Sequence, residues 1–195
     1  MVGPLICFRG YLCAQHVMNT TQISTIHRAA LHDDVGALLA ELNKGVSVDL
    51  VSDQGFSALH LAATSSPAAV ECLLQRKANA RLKTVNGETA LHLACKSGRA
   101  DIAAVLIDHS ADINSAEESG WTPLMAAVHA YQLSSIKVLL HRKADAGVQT
   151  TKSESALTIA KEKTLDDVVA LLQNCNTRAD SPARAAGGSR HGASR

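Results

Sequence analysis

His27, His60 and His92 are the residues best suited by type to bind a metal or move a proton. They follow one another at spacings of 33 and 32, which places them at one position of three successive repeated segments. Packed helices lie roughly 8–10 Å apart, whereas a zinc ion needs its nitrogen ligands about 2 Å away. Met125 and Thr158 occupy the same position in later copies. We therefore predict no metal site; instead, each imidazole bonds backbone groups near the start of a short helix.

The other groups that could act in catalysis form no recognisable motif. His32, Asp33 and Asp34 could serve as an acid–base group, but their place between two helical segments favours a solvated loop. The five cysteines are Cys7, Cys13, Cys72, Cys95 and Cys175. Their odd number and the lack of a C-x-x-C pair indicate reduced thiols in a cytoplasmic or nuclear protein. Without a glycine-rich phosphate loop or a nucleophile motif, we predict no enzyme, no catalytic residue, no cofactor and no small-molecule substrate.

The composition restricts the fold and the partners. The chain has 195 residues, 46% of them hydrophobic and only 3% aromatic, so small and aliphatic side chains must fill its core. That composition suits closely packed helices better than a β-sandwich. A net charge of +1 argues against a dedicated nucleic-acid binder. No apolar run reaches the ~20 residues of a membrane span, so we expect no membrane partner.

A repeated unit positions these residues. Aligned aliphatic residues recur at spacings of 33, 32, 33 and 33, at Ile26, Leu59, Leu91, Leu124 and Leu157. Two residues before each stands a Ser or Thr, whose hydroxyl can cap a helix start: Ser24, Ser57, Thr89, Thr122 and Ser155. Three residues after each stands an alanine, which indicates close approach of a neighbouring helix: Ala29, Ala62, Ala94, Ala127 and Ala160. Each copy therefore begins with a short capped helix.

A second helix and a glycine-containing turn complete each copy. Ile102, Val105 and Leu106 lie on one face of the second helix, and we align Ile102 with Ile136 in the next copy. The turns carry Gly55, Gly87 or Gly120. Glycine accommodates the positive φ that such turns require.

This pattern resembles the ankyrin repeat, whose period is about 33 residues and whose signature is T-P-L-H-x-A. The matching segments are Ser57–Ala62, Thr89–Ala94 and Thr122–Ala127, with Ala111–Asn114 closing the third copy. The resemblance implies an all-α ankyrin-repeat solenoid of helix-turn-helix units with short β-hairpin turns. We expect a lead-in at 1–21, a repeat domain at 22–175 and a disordered Arg/Gly/Ser tail at 176–195. The expected repeats are 22–52, 53–84, 85–117, 118–150 and 151–175.

Three departures from the family pattern carry predictions. The second copy is one residue short between Ala62 and Leu74, so its inter-helix loop should differ. The glycine expected after the second helix survives only as Gly45, and other residues replace it at Lys77, Ser110 and Lys143. A left-handed conformation costs such a residue about 1 kcal/mol. The first and fifth copies are expected to be end caps, whose outer faces meet water.

The resemblance also implies that a partner protein binds the concave surface of turn tips and first helices. The corresponding residues are Gln54, Phe56, Thr64, Ser65, Val85, Asn86, Glu88, Lys96, Ser97, Glu118, Ser119, Trp121, His129 and Tyr131. Trp121 and Phe56 are either hot-spot anchors of that surface or side chains that pack on their own turns.

We expect a monomeric, non-catalytic adaptor, scaffold or inhibitor in the cytoplasm or nucleus. One alternative is a regulatory or targeting subunit of an enzyme or transcription-factor complex. Another is a nucleic-acid-associated protein that uses the basic C-terminal tail.

Overall fold

The computed structural model describes residues 24–179, and for 175–179 it describes the backbone alone. Ten helices over this range form five antiparallel pairs: α1 (Thr25–Leu31), α2 (Val35–Asn43), α3 (Ala58–Ala62), α4 (Pro67–Gln75), α5 (Ala90–Lys96), α6 (Ala100–Asp108), α7 (Pro123–His129), α8 (Leu133–His141), α9 (Ala156–Glu162) and α10 (Asp166–Ala179). The predicted all-α class is confirmed, and extended structure in this range is limited to bridges between Val51 and Ser57 and between Gln149 and Ser155.

The described helices cover only part of the expected domain boundaries. The lead-in at 1–21 and the tail from residue 180 lie outside the described residues, whereas α10 continues to Ala179, past the expected end of the repeat domain. Between residues 24 and 179 no helix is long and apolar enough to cross a membrane.

The hydroxyl residues stand at the N-caps of the five first helices, as predicted. The hydroxyls of Ser57, Thr122 and Ser155 accept a hydrogen bond from the backbone amide three residues on. At Ser24 the hydroxyl instead pairs with Nδ1 of His27 at 2.7 Å, so the expected cap bond is missing there. Pro123 occupies the first position of α7, where a missing amide costs nothing.

Small residues allow the helix pairs to stack into one core. The five repeated alanines are at most 6% exposed, which confirms the close approach that their size indicated. The alignment of Ile102 with Ile136 is wrong by one residue, because α6 begins at Ala100 and α8 begins at Leu133. Ile102 is therefore equivalent to Ser135, and both side chains are fully buried.

The loops between paired helices explain the short second copy. In four of the five loops one residue has a positive φ, namely Asp33 (58°), Gly98 (74°), Tyr131 (54°) and Thr164 (55°). The loop between α3 and α4 contains no such residue. The deletion therefore removes the left-handed position, and the predicted change in this loop is confirmed.

The residues after the second helices also adopt the predicted conformation. Gly45 has φ 88°, and Lys77, Ser110 and Lys143 have φ values of 66°, 67° and 64°. Three residues with a Cβ atom thus occupy a position that favours glycine, at a cost of about 1 kcal/mol each.

The turns stack on one another through single backbone hydrogen bonds. The donor and acceptor pairs are Val85 N to Gln54 O (3.1 Å), Glu118 N to Asn86 O (3.2 Å) and Thr151 N to Ser119 O (3.1 Å). Gly87 has φ 81°, and a Cβ atom on it would lie 2.9 Å from the amide nitrogen of Glu118. Glycine in the turn thus provides both the left-handed backbone and the space for the next turn.

Candidate functional site

The three repeated histidines connect each repeat to the next. Their Nδ1 atoms face the N-cap residues of their own helices, so Nε2 carries the proton and donates it to backbone carbonyls. The acceptors are Leu50 (3.0 Å) and Phe56 (2.8 Å) for His27, Leu82 (3.1 Å) and Glu88 (3.2 Å) for His60, and Trp121 (3.0 Å) for His92. The predicted backbone bonding is confirmed. The spacing in the sequence could not predict that these hydrogen bonds extend into the following repeat.

Burial keeps these imidazoles neutral. It lowers the pKa of His27 and His92 and lowers the pKa of His60 to about 4, although bonded carbonyls partly oppose the shift. A neutral, buried histidine with both nitrogens engaged has no free proton-transfer position. These residues are therefore structural. No group of three or more His, Cys, Asp or Glu side chains capable of holding a metal ion occurs in the described range.

Cys72 and Cys95 are free thiols, and Cys95 is buried. Burial raises the pKa of the Cys95 thiol well above its usual range, so this residue is an inert core side chain.

The predicted partner surface consists of the hairpin turns, the first helices α1, α3, α5, α7 and α9, and the loops that follow these helices; it is called the inner face below. In two repeats, the residue after the turn glycine contacts a residue eight positions later, at the end of the first helix. In repeat three, Nζ of Lys96 lies 3.3 Å from Oε1 of Glu88. In repeat four, the rings of Trp121 and His129 meet edge to face, 5.2 Å apart. The same geometry thus holds an ion pair in one repeat and an aromatic pair in the next.

Phe56 departs from the expected exposure. It occupies the register of Glu88 and Trp121, but its side chain is only 7% exposed. It lies in a small apolar cluster with Leu61 and Leu93. The expectation that Phe56 lies exposed on the inner face is wrong, because Leu61 of its own repeat and Leu93 of the next give its ring apolar contacts.

The remaining predicted residues are accessible to different degrees. Exposed side chains are those of Gln54, Ser65, Val85 (59%), Asn86, Glu118, Ser119, His129 and Tyr131 (48%). Half-buried side chains are those of Thr64, Glu88, Lys96, Ser97 and Trp121. Accessibility is consistent with their predicted role in binding, which stays a prediction.

Tyr131 has an unusual backbone for a large residue. Its φ is 54°, in the loop position that Gly98 fills in repeat three. Its hydroxyl donates to Oδ2 of Asp167 at 2.9 Å, and this hydrogen bond raises the pKa of the phenol. Asp167 lies in the first turn of α10 and is not among the predicted site residues. The contact joins repeats four and five.

Comparison with known proteins agrees with this architecture. A family model described as "Ankyrin repeats (3 copies)" matches residues 65–150. Ankyrin repeat and KH domain-containing protein mask of Drosophila melanogaster is 39% identical over 93 residues, which is 47% of this chain and 2% of that protein. Human Ankyrin repeat and SOCS box protein 3 is 37% identical over 108 residues, covering 52% of this chain and 20% of the relative.

A third relative, human BCL-6 corepressor-like protein 1, is 32% identical over 94 residues, which is 48% of this chain and 5% of that protein. The chain thus spans a fifth or less of the length of these relatives. The aligned parts share the repeat, and the structure extends it to five helix pairs. The chain therefore contains ankyrin repeats, and such repeats are protein–protein interaction modules.

Proposed function

We propose that this chain is a non-catalytic protein-interaction module whose partner binds the inner face at repeat four. The observation that carries the proposal is Tyr131, a large aromatic residue held at positive φ while 48% exposed. A left-handed backbone costs a residue with a Cβ atom about 1–2 kcal/mol. About half of the residue stays accessible although its hydroxyl bonds Asp167, so the exposed part of the ring is free to contact a partner.

The accessible aromatic residues of the inner face also point to repeat four as the binding site. Of the Phe, Trp and Tyr side chains between residues 24 and 179, Phe56 is buried, and the two accessible ones, Trp121 and Tyr131, both lie in repeat four. Tryptophan and tyrosine are over-represented among binding hot spots. The chain would bind as a monomer and without a cofactor, acting as an adaptor, scaffold or inhibitor in the cytoplasm or nucleus.

Affinity capture with matched variants tests this proposal. The full chain, a Trp121→Ala/Tyr131→Gly double variant and a Lys137→Ala variant would each be immobilised and exposed to cell lysate, with bound proteins quantified by mass spectrometry. Lys137 is exposed on α8, away from the inner face. We expect a partner retained by the wild type and by Lys137→Ala to be lost with the double variant. Equal retention by all three would refute binding at repeat four.

Two choices sharpen the experiment. Phe56 is left unchanged, because deleting a buried phenylalanine costs about 3–5 kcal/mol and would mix unfolding with lost binding. Enzyme assays on the retained partner, with and without the chain, separate a scaffold from a regulatory subunit. Circular dichroism of each variant verifies that helicity is kept.

A further inference from the structure

We propose that the partner of repeat four presents an arginine side chain, which stacks on Trp121 and is neutralised by Glu154 and Glu162 of repeat five. This inference rests on the proposed function, since it names the chemistry of the segment that binds the same surface. Its evidence is the register of the paired positions on the inner face.

The paired positions change in character along the array. Glu88 and Lys96 neutralise each other in repeat three, with 3.3 Å between their charged atoms. Trp121 and His129 form the equivalent ring pair in repeat four. One repeat further along, the same two positions hold carboxylates, Glu154 and Glu162. At this register, repeat five therefore presents two acidic residues and no basic residue to neutralise them.

Glu154 and Glu162 lack a cation from the rest of the described chain as well. None of the ion pairs within residues 24–179 includes either carboxylate. Lys161 is adjacent to Glu162 in sequence, but its register is that of Cys95 and Val128, whose side chains are fully buried inside the array. The Lys161 side chain therefore belongs to the outer end of the array.

Trp121 and, at the same register one repeat further along, two carboxylates without an ion-pair partner among the described residues match the chemistry of arginine. A guanidinium stacks on an indole face and bonds carboxylates in a planar, bidentate manner, whereas lysine offers a single ammonium. The exposed Lys152 at the turn and Lys163 at the loop flank the two glutamates. These flanking charges restrict the site to one cation within an otherwise neutral or apolar segment.

The test uses a random dodecapeptide library displayed on phage and selected against the full chain. We expect selected peptides to be enriched in a single arginine. A synthetic peptide of the selected sequence should bind about tenfold more weakly to Trp121→Ala. We expect a similar loss with Glu154→Gln/Glu162→Gln, while Glu71→Gln, a charge change on the exposed side of α4, should leave binding unchanged. Replacing the arginine by citrulline, its neutral analogue, should remove the effect of the two glutamine substitutions.

The possible results distinguish the arginine assignment from binding at repeat four. Peptides that need Trp121 but carry no essential arginine, or that ignore the glutamine substitutions, would overturn the arginine assignment and leave binding at repeat four in place. If no peptide is enriched, or if binding is indifferent to both Trp121→Ala and Tyr131→Gly, both ideas are overturned.

Discussion

Nε2 of His92 donates a hydrogen bond to the backbone carbonyl of Trp121 over 3.0 Å. The same carbonyl accepts from the amide of Glu117 at 3.0 Å, which closes the hairpin of repeat four. A buried histidine of one repeat thus fixes the backbone under the candidate aromatic anchor of the next. Because this contact supports both the fold and the candidate site, histidine variants should be assayed for stability as well as for binding.

Stability should fall in mild acid because of these histidines. The pKa of His60 is about 4 in the folded chain and near 6.5 when unfolded. The unfolded state therefore binds more protons as the pH falls below 6.5, and folding loses up to about 3 kcal/mol from this residue by pH 4. Urea unfolding at pH 7.5, 6, 5 and 4 measures the change.

His60→Met is the matched control for the acid effect, since Met125 fills the same register in repeat four. We expect this variant to be less stable at pH 7.5 because its bonds to the next repeat are lost, and less sensitive to acid. An unchanged pH dependence in His60→Met would show that other groups govern acid unfolding.

Lys143→Gly should stabilise the fold. Lys143 follows α8 with φ 64°, a conformation that glycine adopts without a Cβ clash. We expect the free energy of unfolding to rise by about 1 kcal/mol. Lys137→Gly makes the same chemical change inside α8 and should lower it by about 1 kcal/mol. Thermal unfolding of both variants measures these changes. A loss of stability in Lys143→Gly would contradict the positive φ of Lys143.

Ser135→Ala should also stabilise the chain. The Oγ atom of Ser135 is buried and has no hydrogen-bond partner in the described range. Burying an unsatisfied hydroxyl costs about 1–3 kcal/mol, so removing it should raise the free energy of unfolding by about 1 kcal/mol. The neighbouring Ser134 is exposed on the same helix, and Ser134→Ala should have little effect. Equal midpoints of denaturation for the two variants would speak against an unsatisfied hydroxyl.

Gly87→Ala should destabilise the fold by at least about 2 kcal/mol. The residue has φ 81°, and the added Cβ would lie 2.9 Å from the backbone nitrogen of Glu118. Gly36→Ala provides the contrast, because Gly36 lies inside α2 and its nearest neighbour would be a side-chain atom of Asp34 at 3.4 Å. Alanine there should stabilise by up to about 1 kcal/mol. Denaturant unfolding compares the two, and a tolerated Gly87→Ala would show that the turns do not need this close stacking.

Much of the fold could be predicted because it repeats in the sequence. The hydroxyl caps, the small alanines and the left-handed Lys77 and Lys143 follow from short-range chemistry at fixed spacing. The one-residue error that aligned Ile102 with Ile136 arose because a single apolar pattern fits two adjacent registers. Only the observed starts of α6 and α8 revealed that Ser135 takes the buried position.

The repeat, its register and the positions that require positive φ follow from the amino-acid sequence alone, since these features depend on residues close together in the chain. Whether side chains at the same repeat position point into the core or towards solvent depends on the packing of the repeats. Phe56 is buried against Leu61 of its own repeat and Leu93 of the next, whereas Trp121 remains accessible beside His129. The hydrogen bond between Tyr131 and Asp167 likewise forms only when repeats four and five pack together. These outcomes depend on neighbours supplied by other repeats, whose side chains meet only when the helix pairs stack.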